Sequence, residues 1–363
     1  MKSPGRETRR TARNPSARRS HTPAVSIRRV AAIVLANIGV FVLLWLGLEA
    51  GARRFFPRDV HAIFDDRRLR TRPFAIPDAV RGFALRPGYA QDDTHVNSEG
   101  FRGPEFPPDL SARKVVLTIG ESTTFGWGVA DSECSPARLQ RQLDRVEPGI
   151  YVINAGVPSY TSPQVLLYLE QLLPRYRPAA VVVNILWNDA IYSCLGNWMP
   201  EYLVHQQASP WQRFLLAHSA VYRALVIHDP AALPAKQVRN PRALHYYTMN
   251  LEAIVLECRR ARAPVIFVRP SFDRDQIRDE GIRIASGIVP KSTFVALLND
   301  FLDALDAVVT RTDVPCVRDS LPGVDAGAGN CFIDPFHLNA AGNERLAQDE
   351  ARLLIRTALP PSK

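Results

Sequence analysis

The stretch that decides the fold is Lys114-Val115-Val116-Leu117-Thr118-Ile119-Gly120-Glu121-Ser122-Thr123-Thr124-Phe125-Gly126. Residues 114 to 119 are a short, β-branched apolar run of the kind that forms a buried parallel strand. A glycine and a serine follow within three residues, so Ser122 sits where a central strand ends and a helix begins. In α/β proteins ligands gather at that edge of the sheet, and the N–H groups of the following helix point toward negative charge that develops there. Ser122, Thr123 and Thr124 also suit a plain helix cap, so this segment alone leaves nucleophile and cap both open.

Outward from it, strand-like and helical stretches alternate. Helices are expected at about 133–145, 162–173, 246–260, 292–310 and 339–355, and strands at 151–153, 180–186 and 265–268. Such alternation predicts an α/β fold, a three-layer sandwich with a central parallel sheet and helices on both faces. About 245 residues fit one domain with an ample core. No internal repeat, phosphate loop or dinucleotide glycine pattern is present.

Three further segments can supply chemistry. Asp334-Pro335-Phe336-His337 places a carboxylate and an imidazole three residues apart on a loop. Histidine suits general acid–base work near neutral pH, and a carboxylate on its other nitrogen fixes the tautomer and stabilises the imidazolium. A solvated Asp cap beside a surface His is the bland alternative. His218, His228 and His245 lie among apolar or helical residues and read as packing or surface groups. The second and third segments, Asn154-Ala155-Gly156 and Asn188-Asp189, each follow a strand-like run. There the Gly156 N–H and the Asn188 amide can face a tetrahedral oxyanion; taken singly, they read as turn residues.

Taken together, Ser122, Gly156, Asn188 and His337 resemble in order the four blocks of the SGNH, or GDSL-like, hydrolase superfamily. The likeness covers about residues 112 to 358. It implies that Ser122 is the nucleophile, that Asp334 and His337 complete the triad, and that Gly156, Asn188 and the Ser122 N–H form the oxyanion hole. It also implies a flavodoxin-like three-layer fold. Two departures stand out: Glu121 where the family has aspartate, and Leu186-Trp187 where its third block has glycine. Val96-Asn97-Ser98-Glu99-Gly100-Phe101-Arg102-Gly103-Pro104-Glu105 is similar to a lead-in of membrane-tethered bacterial members.

Val30 to Leu48 is an apolar run long enough to cross a bilayer. Residues 1–29 hold nine basic residues against Glu7 alone, a net charge of +8, whereas the whole chain carries +9. The remaining residues are close to neutral, which argues against nucleic acid as a partner. By the positive-inside rule the tail is cytoplasmic, residues 30–50 are a transmembrane signal-anchor, and the rest is extracytoplasmic, in a bacterium the periplasmic side of the inner membrane. Ala50-Gly51-Ala52 leaves cleavage and release open. Residues 51–111 read as an irregular juxtamembrane connector, and 195–245, rich in aromatics, as a cap insertion or as core.

Five cysteines leave at least one unpaired within the chain. Cys316 and Cys331 flank a glycine-rich loop ahead of Asp334, and a disulfide between them would steady that loop. No metal-ligand spacing is present, and no cofactor is expected. The expected function is ester hydrolysis or O-acyl transfer through an acyl-serine, on an acyl-ester substrate such as the short acyl esters of envelope polysaccharide. Lipase or thioesterase action on lipid, and a non-catalytic carbohydrate-binding subunit, are the alternatives.

Overall fold

The computed structural model describes residues 27–55, 74–78, 80–193, 209–226, 241–284, 287–318 and 331–359. Most of the basic tail, much of the expected cap and the glycine-rich segment before Cys331 lie outside these residues. Two units are distinguished, residues 1–51 and 52–363.

Helix α1, Ile27–Phe55, starts beside Arg28 and Arg29 and ends at Arg53 and Arg54. Within Arg28–Arg54 an 18-residue window reaches a mean hydropathy of 2.4, and among the described residues this is the one helix long and apolar enough to cross a membrane. Its large apolar side chains, such as Leu35, Phe41 and Leu43, are exposed. An N-terminal helix of this kind fits a single-pass anchor or a signal sequence.

The second unit is built on a sheet of five parallel strands. Strand β5, Lys114–Gly120, lies between β6, Ile150–Gly156, and β7, Ala180–Asn184; β8, Val265–Val268, and the short β11, Cys316–Val317, continue beyond β7. All neighbouring pairs are parallel, with Gly120 opposite both Gly156 and Asn184. The order β6-β5-β7-β8-β11 reverses direction at β5, so a crevice opens between the carboxyl ends of β5 and β7, where such sheets bind ligands.

The crossovers cover both faces. Helix α3, Ser135–Asp144, links β5 to β6, and α4, Ser162–Tyr176, links β6 to β7. Helix α8, Pro241–Arg260, precedes β8; α9, Lys291–Thr312, precedes β11; α10, Ala340–Thr357, follows it. Period-two burial sorts the strand residues: Val115, Leu117 and Ile119 join Leu169, Leu251 and Phe301 in one core. Val116 and Val182 join Leu139, Leu143, Leu346 and Leu354 in the other. This is the three-layer α/β arrangement expected from the alternating sequence. Strand β7 ends at Asn184, two residues short of the expected strand end at 186, and the short helix α5, Trp187–Ser193, follows. Helices α6, Pro210–His218, and α7, Ala220–Val226, are the described parts of the expected cap stretch.

Residues 74–105 are more regular than a connector. Strands β1, Ala75–Asp78, and β2, Gly82–Leu85, form an antiparallel hairpin, and β3, Ala90–Gln91, pairs with β4, Thr94–His95. Phe74, Phe83, Leu85, Val96 and Phe101 are buried in the larger core. The Phe83 carbonyl accepts from the Tyr160 hydroxyl at 2.6 Å, and their rings meet edge to face. The remaining hairpin is β9, Ile282–Ile284, with β10, Gly287–Val289.

Candidate active site

Ser122 is the first residue of a one-turn helix, α2, Ser122–Phe125, at the end of β5. At that position its N–H has no intrahelical acceptor. The turn closes at Gly126, whose φ of +89° is one a side chain rarely adopts and whose N–H returns to the Ser122 carbonyl. An arginine from the lead-in segment holds the far end of this turn. Arg102 is almost fully buried and donates from Nη1 to the carbonyls of Phe125 (2.8 Å) and Gly126, and from Nη2 to that of Val129. Its Nε pairs with Asp131 at 2.8 Å, and its guanidinium lies over the Phe125 ring.

The loop before α10 brings the base to the serine. A bridge between Phe332 and Leu338, with the Ile333 N–H donating to the His337 carbonyl at 2.8 Å, folds it into a tight turn. At its tip Asp334 Oδ1 accepts from the N–H groups of Phe336 and His337, both at 2.9 Å. Asp334 Oδ2 lies 2.7 Å from His337 Nδ1, and His337 Nε2 lies 2.8 Å from Ser122 Oγ. An ionised carboxylate only accepts, so Nδ1 carries the proton and Nε2 accepts from the serine hydroxyl. Burial acts to raise Asp334, but the hydrogen bond and charge of His337, with the two N–H donors, outweigh it and hold the carboxyl below its usual range. Ser122, Asp334 and His337, expected together from 215 residues of separation, are thus brought into one hydrogen-bonded line.

The residues expected around an oxyanion are placed differently from one another. Asn188 lies at the start of α5, and its Nδ2 donates one proton to the Tyr160 carbonyl at 2.9 Å, which leaves the second amide proton. Gly156 does not face the site as expected. Its N–H donates to Asn154 Oδ1 at 3.0 Å, and a Cβ there would stand 2.2 Å from the Phe125 nitrogen. The glycine makes room for α2 to press on the sheet. In the loop that follows, Ser159 adopts φ +71°, a strained conformation for a residue with a side chain, one residue before the carbonyl that holds Asn188.

Glu121, in place of the family's aspartate, has a structural consequence. It is fully buried, and its Oε1 accepts the N–H groups of Leu186 (3.0 Å) and Trp187 (2.8 Å) while Oε2 accepts that of Asn188 (2.9 Å). Burial pushes this carboxyl up to about 8 against those three donors. Next to it Asp189, pushed up to about 7 by burial, accepts from the Ser162 N–H and hydroxyl and so ties α5 to α4.

The expected Cys316–Cys331 disulfide is not formed: Cys134, Cys258, Cys316 and Cys331 are free thiols. Cys316 lies in edge strand β11 opposite Phe267, and burial pushes its thiol up to about 11. Cys331 lies beside α10, its carbonyl accepting from the Asn339 N–H. Their spacing in sequence does not bring the sulfurs into bonding position. Cys194 lies outside the described residues. Among the described residues no group of three or more His, Cys, Asp or Glu is placed to hold a metal ion.

Several solved structures are similar in fold. The lipase/acylhydrolase from Enterococcus faecalis is 17% identical, with 69% of this chain and 99% of that chain covered and a TM-score of 0.44. The acetylxylan esterase Axe2 from Geobacillus stearothermophilus is 18% identical over 66% of this chain and 94% of that one, with a TM-score of 0.42. The esterase EstA from Pseudoalteromonas sp., in a structure inhibited by monoethylphosphonate, is 15% identical over 67% and 97%, with a TM-score of 0.42. No curated protein matches significantly. Residues 118–345 match the GDSL-like Lipase/Acylhydrolase family, spanning the serine turn and the Asp334–His337 loop, and the chain belongs to that family.

Proposed function

We propose that this protein cleaves or transfers acyl groups through an acyl-serine on Ser122. The observation that carries the proposal is His337, within hydrogen-bond distance of both Ser122 Oγ and Asp334 Oδ2. In the first step His337 Nε2 takes the hydroxyl proton as Oγ attacks the ester carbonyl, and Asp334 stabilises the imidazolium. The Ser122 N–H and the second amide proton of Asn188 receive the negative charge on the carbonyl oxygen. The C–O bond to the leaving alcohol breaks as His337 returns the proton to it. Water, activated by the same histidine, then releases the acid; a sugar hydroxyl in its place completes an O-acyl transfer.

The substrates proposed are short acyl esters of envelope carbohydrate. The basic tail and the apolar helix support tethering at the bacterial inner membrane, N-terminus inside and residues 112–358 on the periplasmic side. Axe2, which the fold resembles, is an acetylxylan esterase. A second reading, longer acyl esters, is favoured by two exposed apolar side chains. Trp127 follows the serine turn and Ile333 precedes His337, and they are 42% and 46% exposed. Turnover of acetyl against decanoyl esters separates the two.

The testing experiment is peptide mapping of the full chain after treatment with a small serine-reactive phosphonate, with Ser122→Ala alongside. A single adduct on Ser122, absent from the variant, is expected. Unlabelled, folded protein would overturn the catalytic reading and favour a binding subunit.

A further inference from the structure

Three buried polar atoms near the triad have no hydrogen-bond partner in the protein: Thr123 Oγ1, Asn184 Oδ1 and Trp187 Nε1. Their residues lie on three different segments, the serine turn, the end of β7 and the start of α5. The residues Thr123, Asn184 and Trp187 all line one cavity of about 20 Å³, together with Phe336 and Leu338, the neighbours of His337, and with Arg269, whose charge is paired with Asp306. Orphaned polar atoms are individually costly in a protein interior, and three around one space point to a shared partner.

The chemistry of the three atoms selects that partner. An indole N–H only donates, an amide oxygen only accepts, and a hydroxyl does either. A cation would be opposed by the Trp187 N–H and an anion by the Asn184 oxygen. A molecule that both donates and accepts satisfies all three, and the space takes a single small one, since a buried water needs about 10–15 Å³ and two to four polar partners. We propose that this cavity binds one water molecule, which accepts from Trp187 Nε1, donates to Asn184 Oδ1 and exchanges a hydrogen bond with Thr123 Oγ1.

Such a water links the residue after Ser122 to the residue before Asn188, beneath the turn that carries His337. Thr123 and Trp187 then act as positioning residues: the water sets the distance between the serine turn and the Asn188 turn, and neither side chain touches the substrate. Water binding stands on the cavity alone, whereas its effect on reactivity rests on the acyl-transfer reading of Ser122.

The test is a crystal structure of the full chain in detergent, at a resolution that shows ordered water, with Thr123→Val and Thr123→Ser beside the wild type. Phosphonate labelling rates of Ser122 are measured on the same three proteins. Density within hydrogen-bond distance of all three atoms is expected in the wild type and in Thr123→Ser, and its loss in Thr123→Val. Labelling should slow about tenfold in Thr123→Val and recover in Thr123→Ser, the size of one hydrogen bond expressed in a rate. A wild-type cavity without density overturns the proposal, and wild-type labelling in Thr123→Val overturns the positioning role. Density in a wild type that never labels supports the water site and counts instead against the acyl-transfer reading.

Discussion

The carboxyl group of Glu121 accepts the backbone N–H of Asn188 at 2.9 Å, so the residue before Ser122 fixes the start of the helix that carries the amide. Shortening that side chain by one methylene cannot keep all three N–H contacts at once. Glu121→Asp is expected to lower kcat up to about tenfold with little change in KM, since about 0.5–1.5 kcal/mol is lost per hydrogen bond. Steady-state kinetics on an activated acetyl ester checks this, and an effect confined to KM would count against a positioning role for Glu121.

Asp334 bears on tautomer as well as charge. Asp334→Asn keeps the shape of the loop but presents an amide that can donate toward Nδ1, so the histidine no longer holds its Nε2 lone pair toward Ser122. Turnover should fall by about a thousandfold or more, with an unchanged melting temperature. Retention of even a tenth of the activity would mean that His337 acts without its carboxylate.

Asn188→Ala removes the proposed side-chain donor while the backbone N–H to Glu121 remains. A loss of about a hundredfold or more in kcat is expected. Because Asn188 also donates to the Tyr160 carbonyl, circular dichroism of the variant is measured in parallel. A rise in KM alone would assign Asn188 to substrate binding.

Gly156→Ala tests the reassignment of that glycine. The added methyl would meet backbone atoms, the Phe125 nitrogen at 2.2 Å and the Thr124 carbonyl carbon at 2.7 Å, which cannot rotate away. A stability loss of about 1–3 kcal/mol follows from overpacking, seen as a lowered denaturant midpoint. An unchanged midpoint would show that α2 does not press on β6.

Far from the triad, Glu350 gives a pH signature. Buried between α3 and α10 and accepting from the Ser135 hydroxyl at 2.7 Å, it is pushed up by burial from 4.5 to about 7. A carboxyl whose pKa is raised on folding contributes stability that is complete below its unfolded pKa and lost as pH rises through the folded one. The wild type should therefore lose stability relative to Glu350→Gln between about pH 4.5 and 7, by up to ~1.4 kcal/mol per pH unit. Parallel denaturant curves across that window measure the difference, and parallel pH profiles would refute it.

The central strand and the serine turn were legible because residues 115 to 119 are mostly apolar and β-branched and are cut off sharply by Gly120. Asp334 and His337 were legible because a three-residue spacing allows one turn to hold both. Arg102 was not, since its role depends on carbonyls 23 to 27 residues away that no local pattern announces. A glycine at a strand end has the same appearance whether it offers an N–H or makes room for a helix, which is why Gly156 was misplaced. The hairpin over 75–85 was hidden by Pro77 and by strands of only four residues each. In the 195–245 stretch Trp198 and Tyr202 lie outside the described residues, whereas Trp211 and Phe214 are exposed on α6 and do not fill the core.

The thiols of Cys134, Cys258, Cys316 and Cys331 carry one more implication. The loop bearing Asp334 and His337 is secured by hydrogen bonds and by the N-cap of α10 at Asn339. Among the described residues, the line from Asp334 through His337 to Ser122 is therefore held without a covalent cross-link. A reductant that opens structural disulfides has nothing to cut among those residues.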